Sequence, residues 1–131
     1  MGGTCIVMFV KDIMKRPVVV DRKTSLEEAA KIMKERKIGS LLAYLKNKSI
    51  GIVTEGDLTR NFGKHEEISQ IMKPKAITIE ADERVEGAVE IMKENKIKRL
   101  PVTDKGELVG IITSSEIIAN FEDLEEDFIF D

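Results

Sequence analysis

The sequence predicts an α+β fold of the α/β repeat type, in which two β-α-β-β-α copies pack sheet to sheet with pseudo-twofold symmetry. Three self-similarities predict it. Gly51-Ile52-Val53-Thr54-Glu55-Gly56-Asp57 is written again 59 residues later as Gly110-Ile111-Ile112-Thr113-Ser114-Ser115-Glu116. Val10-Lys11-Asp12-Ile13-Met14-Lys15 is echoed by Ile68-Ser69-Gln70-Ile71-Met72-Lys73, and Ala30–Ile38 by Val89–Ile97. The offset moves from 58 to 59 between these blocks, which places a one-residue insertion around Pro74. The copies fill nearly the whole chain, so the repeat is the architecture. Repeat one takes residues 1–66, with a core at 10–62 and an N-terminal extension at 1–9; repeat two takes 67–121; residues 122–131 form an acidic tail.

In the first copy, Pro17-Val18-Val19-Val20 reads as a short strand. Ser25 stands as an N-cap with Glu28 three residues on, the spacing of a capping box. Leu26, Ala29, Ala30, Ile32, Met33 and Ile38 recur at helical spacing, which predicts a helix to about residue 37 with one apolar face. Ser40 to Leu45 and Ser49 to Thr54 read as strands of a hairpin turned at Asn47-Lys48, and Gly56 to Phe62 as a short helix. The second copy repeats the order: strand Ala76 to Ile79, helix from an Asp82 cap to about Lys96, strand Leu100 to Thr103, turn Asp104-Lys105-Gly106, strand Leu108 to Thr113, and helix Ser115 to about Phe121. Each copy therefore makes a three-stranded mixed sheet covered by helices on one face. The other copy is the simplest cover for the second face, with a groove between the sheets.

Composition bounds the class. The chain has 131 residues, one ordinary domain or two small subdomains sharing a core. It is 42% hydrophobic but only 5% aromatic, with no Trp, so the core is aliphatic. A charged fraction of 34% marks a soluble surface. No stretch approaches the roughly 18 apolar residues that a membrane span needs, and the first residues read as neither a secretion leader nor a myristoylation signal. A single cysteine, Cys5, makes no internal disulfide, so a reducing cytoplasm is the economical location. It lies in an apolar run and reads as a spectator. The net charge of −3 divides into +4 over residues 1–67 and −7 over residues 68–131. That is not the basic footprint of a nucleic-acid binder. Leu124, Phe128 and Ile129 interrupt the acidic tail at spacings of four and five, so it is open to docking on a neighbour as well as to disorder.

The repeated corner is where chemistry concentrates. In each copy an apolar strand ends in a threonine and an acid follows three residues on, so hydroxyl and carboxylate meet where the strand hands over to a helix. Thr54 with Asp57, and Thr113 with Glu116, suit two roles, capping that helix or holding a ligand, and the doubling reproduces either one equally well. With one His, one Cys and no metal-ligand spacing, phosphate-binding glycine loop or poised carboxylate pair, no catalytic constellation is legible.

Residues 10–121 resemble a tandem pair of cystathionine-β-synthase (CBS) domains. The resemblance rests on the order of elements, the doubling near 60 residues, the Asp12-Ile13-Met14 lead-in, the Arg99-Leu100-Pro101-Val102 strand and the G-h-x-T-x-x-D ending that stands in both copies. It implies a regulatory module, not an enzyme, that binds AMP, ADP, ATP or S-adenosylmethionine in clefts between paired domains. It also implies a flat homodimer, a disc of four repeats, with the short lead-in and exit helices at its interface, that signals to a regulated protein. Carried over residue by residue, Thr54 and Asp57 take the ribose, Lys98 and Arg99 the phosphate, and Ala76 and Ile77 line the adenine slot. Thr113, Glu116, Ser40 and Val18 form the second cleft. The chemistry is compatible: a carboxylate accepts from two vicinal hydroxyls at once, and Arg supplies a planar fork where Lys supplies a point charge. The copies are unequal, since Glu116 is one methylene longer than Asp57 and Gly39-Ser40 stands uncharged where the other copy has Lys98-Arg99. The cleft of Thr54 and Asp57 is therefore expected to be the better nucleotide site. The rival reading is a ligand-free dimerisation platform for a partner protein.

Overall fold

The structure, a computed structural model, describes residues 7–46 and 48–121. Cys5, Asn47 and the acidic tail, on which parts of the sequence reading fall, lie outside the described residues. In chain order the elements are α1 (Val10–Ile13), α2 (Leu26–Arg36), β1 (Ser40–Tyr44), β2 (Ile50–Thr54), α3 (Glu55–Asn61), a 3-10 turn (Ile68–Gln70), β3 (Ile79–Glu80), α4 (Val85–Asn95), β4 (Arg99–Asp104), β5 (Glu107–Thr113) and α5 (Ser114–Phe121).

Packing divides the chain at points other than the repeat boundaries. One compact unit is Pro17–Ala76; the other combines Met1–Arg16 with Ile77–Asp131. The sequence repeats count like residues, whereas the units follow which apolar faces close on which, so each repeat's lead-in belongs to the other repeat's unit.

In the unit formed by Pro17–Ala76, β1 and β2 pair antiparallel with Ser40 opposite Thr54 and Tyr44 opposite Ile50. Leu26, Ala29 and Met33 of α2 bury their stripe against Leu41, Ala43, Val53 and Leu58, and the later lead-in adds Ile68 and Met72 to the same core. Ser25 caps α2 as expected, its Oγ accepting from the Glu28 N–H at 3.0 Å. The expected strand at Pro17–Val20 reduces to a single parallel bridge of Val19 with Leu42, held by Val20 N–H to the Leu42 carbonyl at 2.8 Å and Leu42 N–H to the Val18 carbonyl at 3.0 Å.

In the other unit, β3 pairs parallel with β4 and β4 antiparallel with β5, the mixed three-stranded sheet the pattern predicts. Val10 and Ile13 of the first lead-in join Val85, Ala88 and Met92 of α4, Leu100 and Val102 of β4, Ile112 of β5, and Ile117 and Phe121 of α5 in its core. The β4–β5 turn is tight because Lys105 (φ 52) and Gly106 (φ 84) both take positive φ, as a two-residue hairpin loop with right-handed strand twist requires. Two expectations are corrected. The strand expected at Ala76–Ile79 starts only at Ile79, because the Ala76 N–H is committed to the Ile50 carbonyl at 3.0 Å. Asp82 does not cap α4: Arg84 is its N-cap and makes no side-chain bond. Instead the Val85 N–H donates to the Met8 carbonyl at 3.0 Å. The Leu26 N–H donates likewise to the Glu66 carbonyl at 3.2 Å. In both units a backbone carbonyl of the lead-in thus satisfies a first-turn amide.

The lead-ins also seal the sheets. Lys15 bridges Ile111 on β5, and Lys73 bridges Ile52 on β2. The approach is close at Gly110, where an added Cβ would lie 2.5 Å from Met14 Sδ and 3.1 Å from the Lys15 carbonyl oxygen. At Gly51 it would meet only the flexible ends of Leu45 and Met72, at 3.0 Å. Gly110→Ala is therefore expected to cost about 1–3 kcal/mol, and Gly51→Ala less; urea unfolding of both variants measures the ranking.

Candidate functional site

Strand β2 delivers Thr54 to the start of α3 in extended geometry (φ −113, ψ 168). Its Oγ1 accepts from the Asp57 N–H at 3.2 Å, and its own N–H donates to Asp57 Oδ2 at 2.9 Å. This closes a reciprocal capping box. The other carboxylate oxygen, Oδ1, accepts from Arg60 Nη2 at 2.6 Å. The Asp57 side chain is 18% exposed and that of Arg60 69%. The Asn61 side-chain amide donates to the Asp57 carbonyl at 2.7 Å, tying the end of α3 to its beginning.

The second corner starts alike and ends differently. Thr113 Oγ1 accepts from the Glu116 N–H at 3.1 Å. Where Asp57 turns back on the threonine amide, the longer Glu116 side chain carries its carboxylate to Lys15 Nζ, at 2.8 Å. Lys15 is held there by its backbone bonds to Ile111, both 2.9 Å.

Thr54, Asp57, Ser40, Val18 and Ala76 belong to the unit Pro17–Ala76, whereas Ile77, Lys98, Arg99, Thr113 and Glu116 belong to the other. Within the first, the β1–β2 register sets Ser40 opposite Thr54, and the Glu55 N–H donates to the Gly39 carbonyl at 3.2 Å. Within the second, Arg99 stands opposite Thr113, and the Ser114 N–H donates to the Lys98 carbonyl at 2.9 Å. Each threonine corner is thus flanked in its own unit by the residues that open the preceding strand, neutral beside Asp57 and cationic beside Glu116. Lys98 is exposed and Arg99 half-buried. Val18 and Ala76 are half-buried, and Ile77 is 42% exposed outside any strand.

Sequence reasoning missed both cations that hold the carboxylates. Arg60 was legible as an i,i+3 partner of Asp57 on a helix; Lys15 was not, because its contact depends on the lead-in docking beside β5. Also unforeseen is an open groove of about 440 Å³ between α2 and α3, lined by apolar Ala30, Met33, Ile38, Leu58 and Phe62 and by polar Lys34, Lys37, Glu55 and Thr59. Among the described residues no group of His, Cys, Asp and Glu is arranged to hold a metal, and no helix is long and apolar enough to cross a membrane.

Comparison with known proteins matches the CBS domain family model twice, at residues 10–64 and 68–123. The CBS domain pair of protein MJ0100, solved in complex with 5'-methylthioadenosine and S-adenosyl-L-methionine, superposes with a TM-score of 0.81 at 30% identity, over 92% of this chain and 100% of that one. CBSX2, solved in complex with AMP, superposes with a TM-score of 0.74 at 25% identity, over 86% of this chain and 95% of that one. An inosine-5'-monophosphate dehydrogenase of Thermoplasma acidophilum is 33% identical over 88% of this chain, which spans only 24% of that enzyme's length.

The capping box has a stability consequence independent of any ligand. Thr54→Ala is expected to destabilise by about 1 kcal/mol and Thr54→Ser to retain most of the native stability, as measured by urea unfolding without ligand.

Proposed function

Because the chain belongs to the CBS domain family and carries the domain twice, we propose that it is a regulatory module that binds an adenosine nucleotide and reports its presence to a partner protein. The observation that carries this reading is the threonine–carboxylate corner at Thr54 and Asp57 in a chain similar to solved domain pairs that hold AMP, S-adenosyl-L-methionine and 5'-methylthioadenosine. In the proposal Asp57 accepts the two ribose hydroxyls and the Thr54 hydroxyl stands beside them. Lys98 and Arg99 supply positive charge for the phosphate, and Ala76 and Ile77 the apolar surface for adenine. AMP, ADP or ATP is the ligand, with S-adenosylmethionine the alternative of the same class. The corner of Thr113 and Glu116, with Ser40 and Val18, is the weaker site, in keeping with the Lys15 ammonium that already engages Glu116.

Occupancy is read through a change in domain or dimer arrangement, since a ligand shifts an equilibrium only by its differential affinity for the states. The proposed assembly is a homodimer. The groove between α2 and α3, whose apolar residues Met33, Ile38, Leu58 and the 46% exposed Phe62 stand among Lys34, Lys37 and Glu55, supports an interface that includes the exit helix α3. The module itself has no catalytic role in this reading, and its place is the cytoplasm.

A second reading has its own support. Both oxygens of Asp57 are occupied within its own unit, by the Thr54 amide and by Arg60, as befits a corner whose work is structural. The protein would then be a ligand-free dimerisation platform.

Thermal melting with AMP, ATP or S-adenosylmethionine separates the two. A ligand at 100 times its Kd is expected to add about 2.7 kcal/mol of stability, and a flat response to all three would sink the sensor reading. Asp57→Ala is expected to abolish the ligand-induced shift, measured against that variant's own ligand-free melt, while Glu116→Ala keeps most of it. The reverse ranking would show that Glu116 marks the main site.

A further inference from the structure

Arg60 has a place in the structure that capping does not explain. The cap of α3 is complete with Thr54 and Asp57 Oδ2 alone. The guanidinium adds a contact to the remaining oxygen, Oδ1, at 2.6 Å, from a side chain that is 69% exposed. To reach it the side chain folds back along its own helix across the Gly56 backbone: a Cβ on Gly56 would lie 3.1 Å from Nη1 and 3.8 Å from Cζ. A larger residue at 56 would push the guanidinium off this path.

The two corners differ in how the acid is held. The position that matches Arg60 in the second copy is Ala119. There the carboxylate is held by Lys15, whose backbone is anchored to β5 by two bonds. The lead-in lysine of the other unit, Lys73, also stands on a strand bridge, at Ile52, yet the carboxylate of that unit pairs with Arg60. One corner therefore holds its acid with a lysine on a fixed strand bridge, the other with a long arginine that has solvent on most of its surface.

We propose that Arg60 is an exchangeable cation that sets the preference of the Asp57 corner for phosphorylated over unphosphorylated adenosine compounds. This rests on the nucleotide-binding reading above. Without ligand, the guanidinium covers Asp57 Oδ1. A ribose diol that uses both carboxylate oxygens needs Oδ1, so Arg60 leaves it when the nucleoside part docks. The exchange costs little because the guanidinium is largely exposed and returns to water, and a pair with one solvated partner is weakly held. The new partner of the guanidinium depends on the ligand. A nucleoside leaves it with water alone, whereas a nucleotide offers a phosphate whose oxygens match its planar fork. The positive charge thus opposes the nucleoside and favours the nucleotide.

The test is calorimetric titration of wild type, Arg60→Ala, Arg60→Gln and Arg60→Lys with AMP and with adenosine, each variant's ligand-free melting temperature being recorded alongside. In Arg60→Ala the AMP affinity is expected to fall about tenfold to a hundredfold, the range of one hydrogen bond to a charged group. Adenosine affinity should hold or rise, so the ratio of the two falls by at least that much. Arg60→Lys should restore part of the ratio. Arg60→Gln, which keeps length and polarity without charge, should behave as Arg60→Ala does, and it supplies the reading if the alanine variant proves unstable. A wild type that binds both compounds, with the same affinity ratio in Arg60→Ala and Arg60→Gln, overturns the role of Arg60 and leaves nucleotide binding standing. A wild type that binds neither compound overturns the role of Arg60, and a flat melting response to ATP and S-adenosylmethionine as well overturns the nucleotide-binding reading with it.

Discussion

The backbone pairing between each lead-in and the body it joins is the constraint on which both units depend. Val10 N–H to the Glu83 carbonyl, Val85 N–H to the Met8 carbonyl and the two Lys15–Ile111 bonds fix residues 8–15 against α4 and β5. Ile68 N–H to the Thr24 carbonyl, Leu26 N–H to the Glu66 carbonyl and the Ile52–Lys73 bridge do the same against α2 and β2. These bonds satisfy helix amides that side chains leave open, and they set Val10 and Ile13, or Ile68 and Met72, into apolar surface that a small sheet would otherwise expose. The glycines at 51 and 110 keep the bridged strands bare enough for this approach.

That pairing reaches into the corners. Lys15 engages Glu116 because its backbone is already fixed to β5. In the other unit the partner of the acid comes from the helix it caps. The two corners share a threonine, an acid and a spacing, and differ in the length of the acid and the origin of the cation. The shorter Asp57 folds back on the Thr54 amide, whereas Glu116 uses its extra methylene to reach outward. A cap and a ligand site ask for the same groups in the same place, since both present hydroxyl and carboxylate oxygens at a strand-to-helix turn. The geometry of a single corner therefore fits both roles.

Helices were legible in the sequence because a period near 3.6 with an N-terminal hydroxyl depends on local residues: Ser25 and the stripe of Leu26, Ala29 and Met33 place α2 to within a residue or two. The hairpins were legible because strand runs flank a turn, as at Lys105-Gly106. The edge strands were not. Pro17–Val20 and Ala76–Ile79 have strand composition, but ladder length is decided by whether a partner offers amides and carbonyls in register, and Ala76 commits its amide to Ile50. The cap of α4 failed for a related reason, since a carbonyl from residue 8 supplies what Asp82 was expected to give. Of the site, the residue types at Thr54, Asp57, Thr113 and Glu116 were legible, and their capping bonds are present. Arg60 was overlooked although its i,i+3 spacing from Asp57 was legible, whereas Lys15 carries no signal until the lead-in is known to dock beside β5.

By itself, then, the sequence determined the doubling, the order of elements, the aliphatic core and the paired corners, because each is written in local spacing or in the likeness of one stretch to another. Only the tertiary structure decided which unit each lead-in completes, where the edge strands stop and which cation Glu116 holds. Those outcomes depend on hydrogen bonds and ion pairs between residues tens of positions apart, such as Lys15 and Glu116, and separation in sequence carries no information about proximity until the chain has folded.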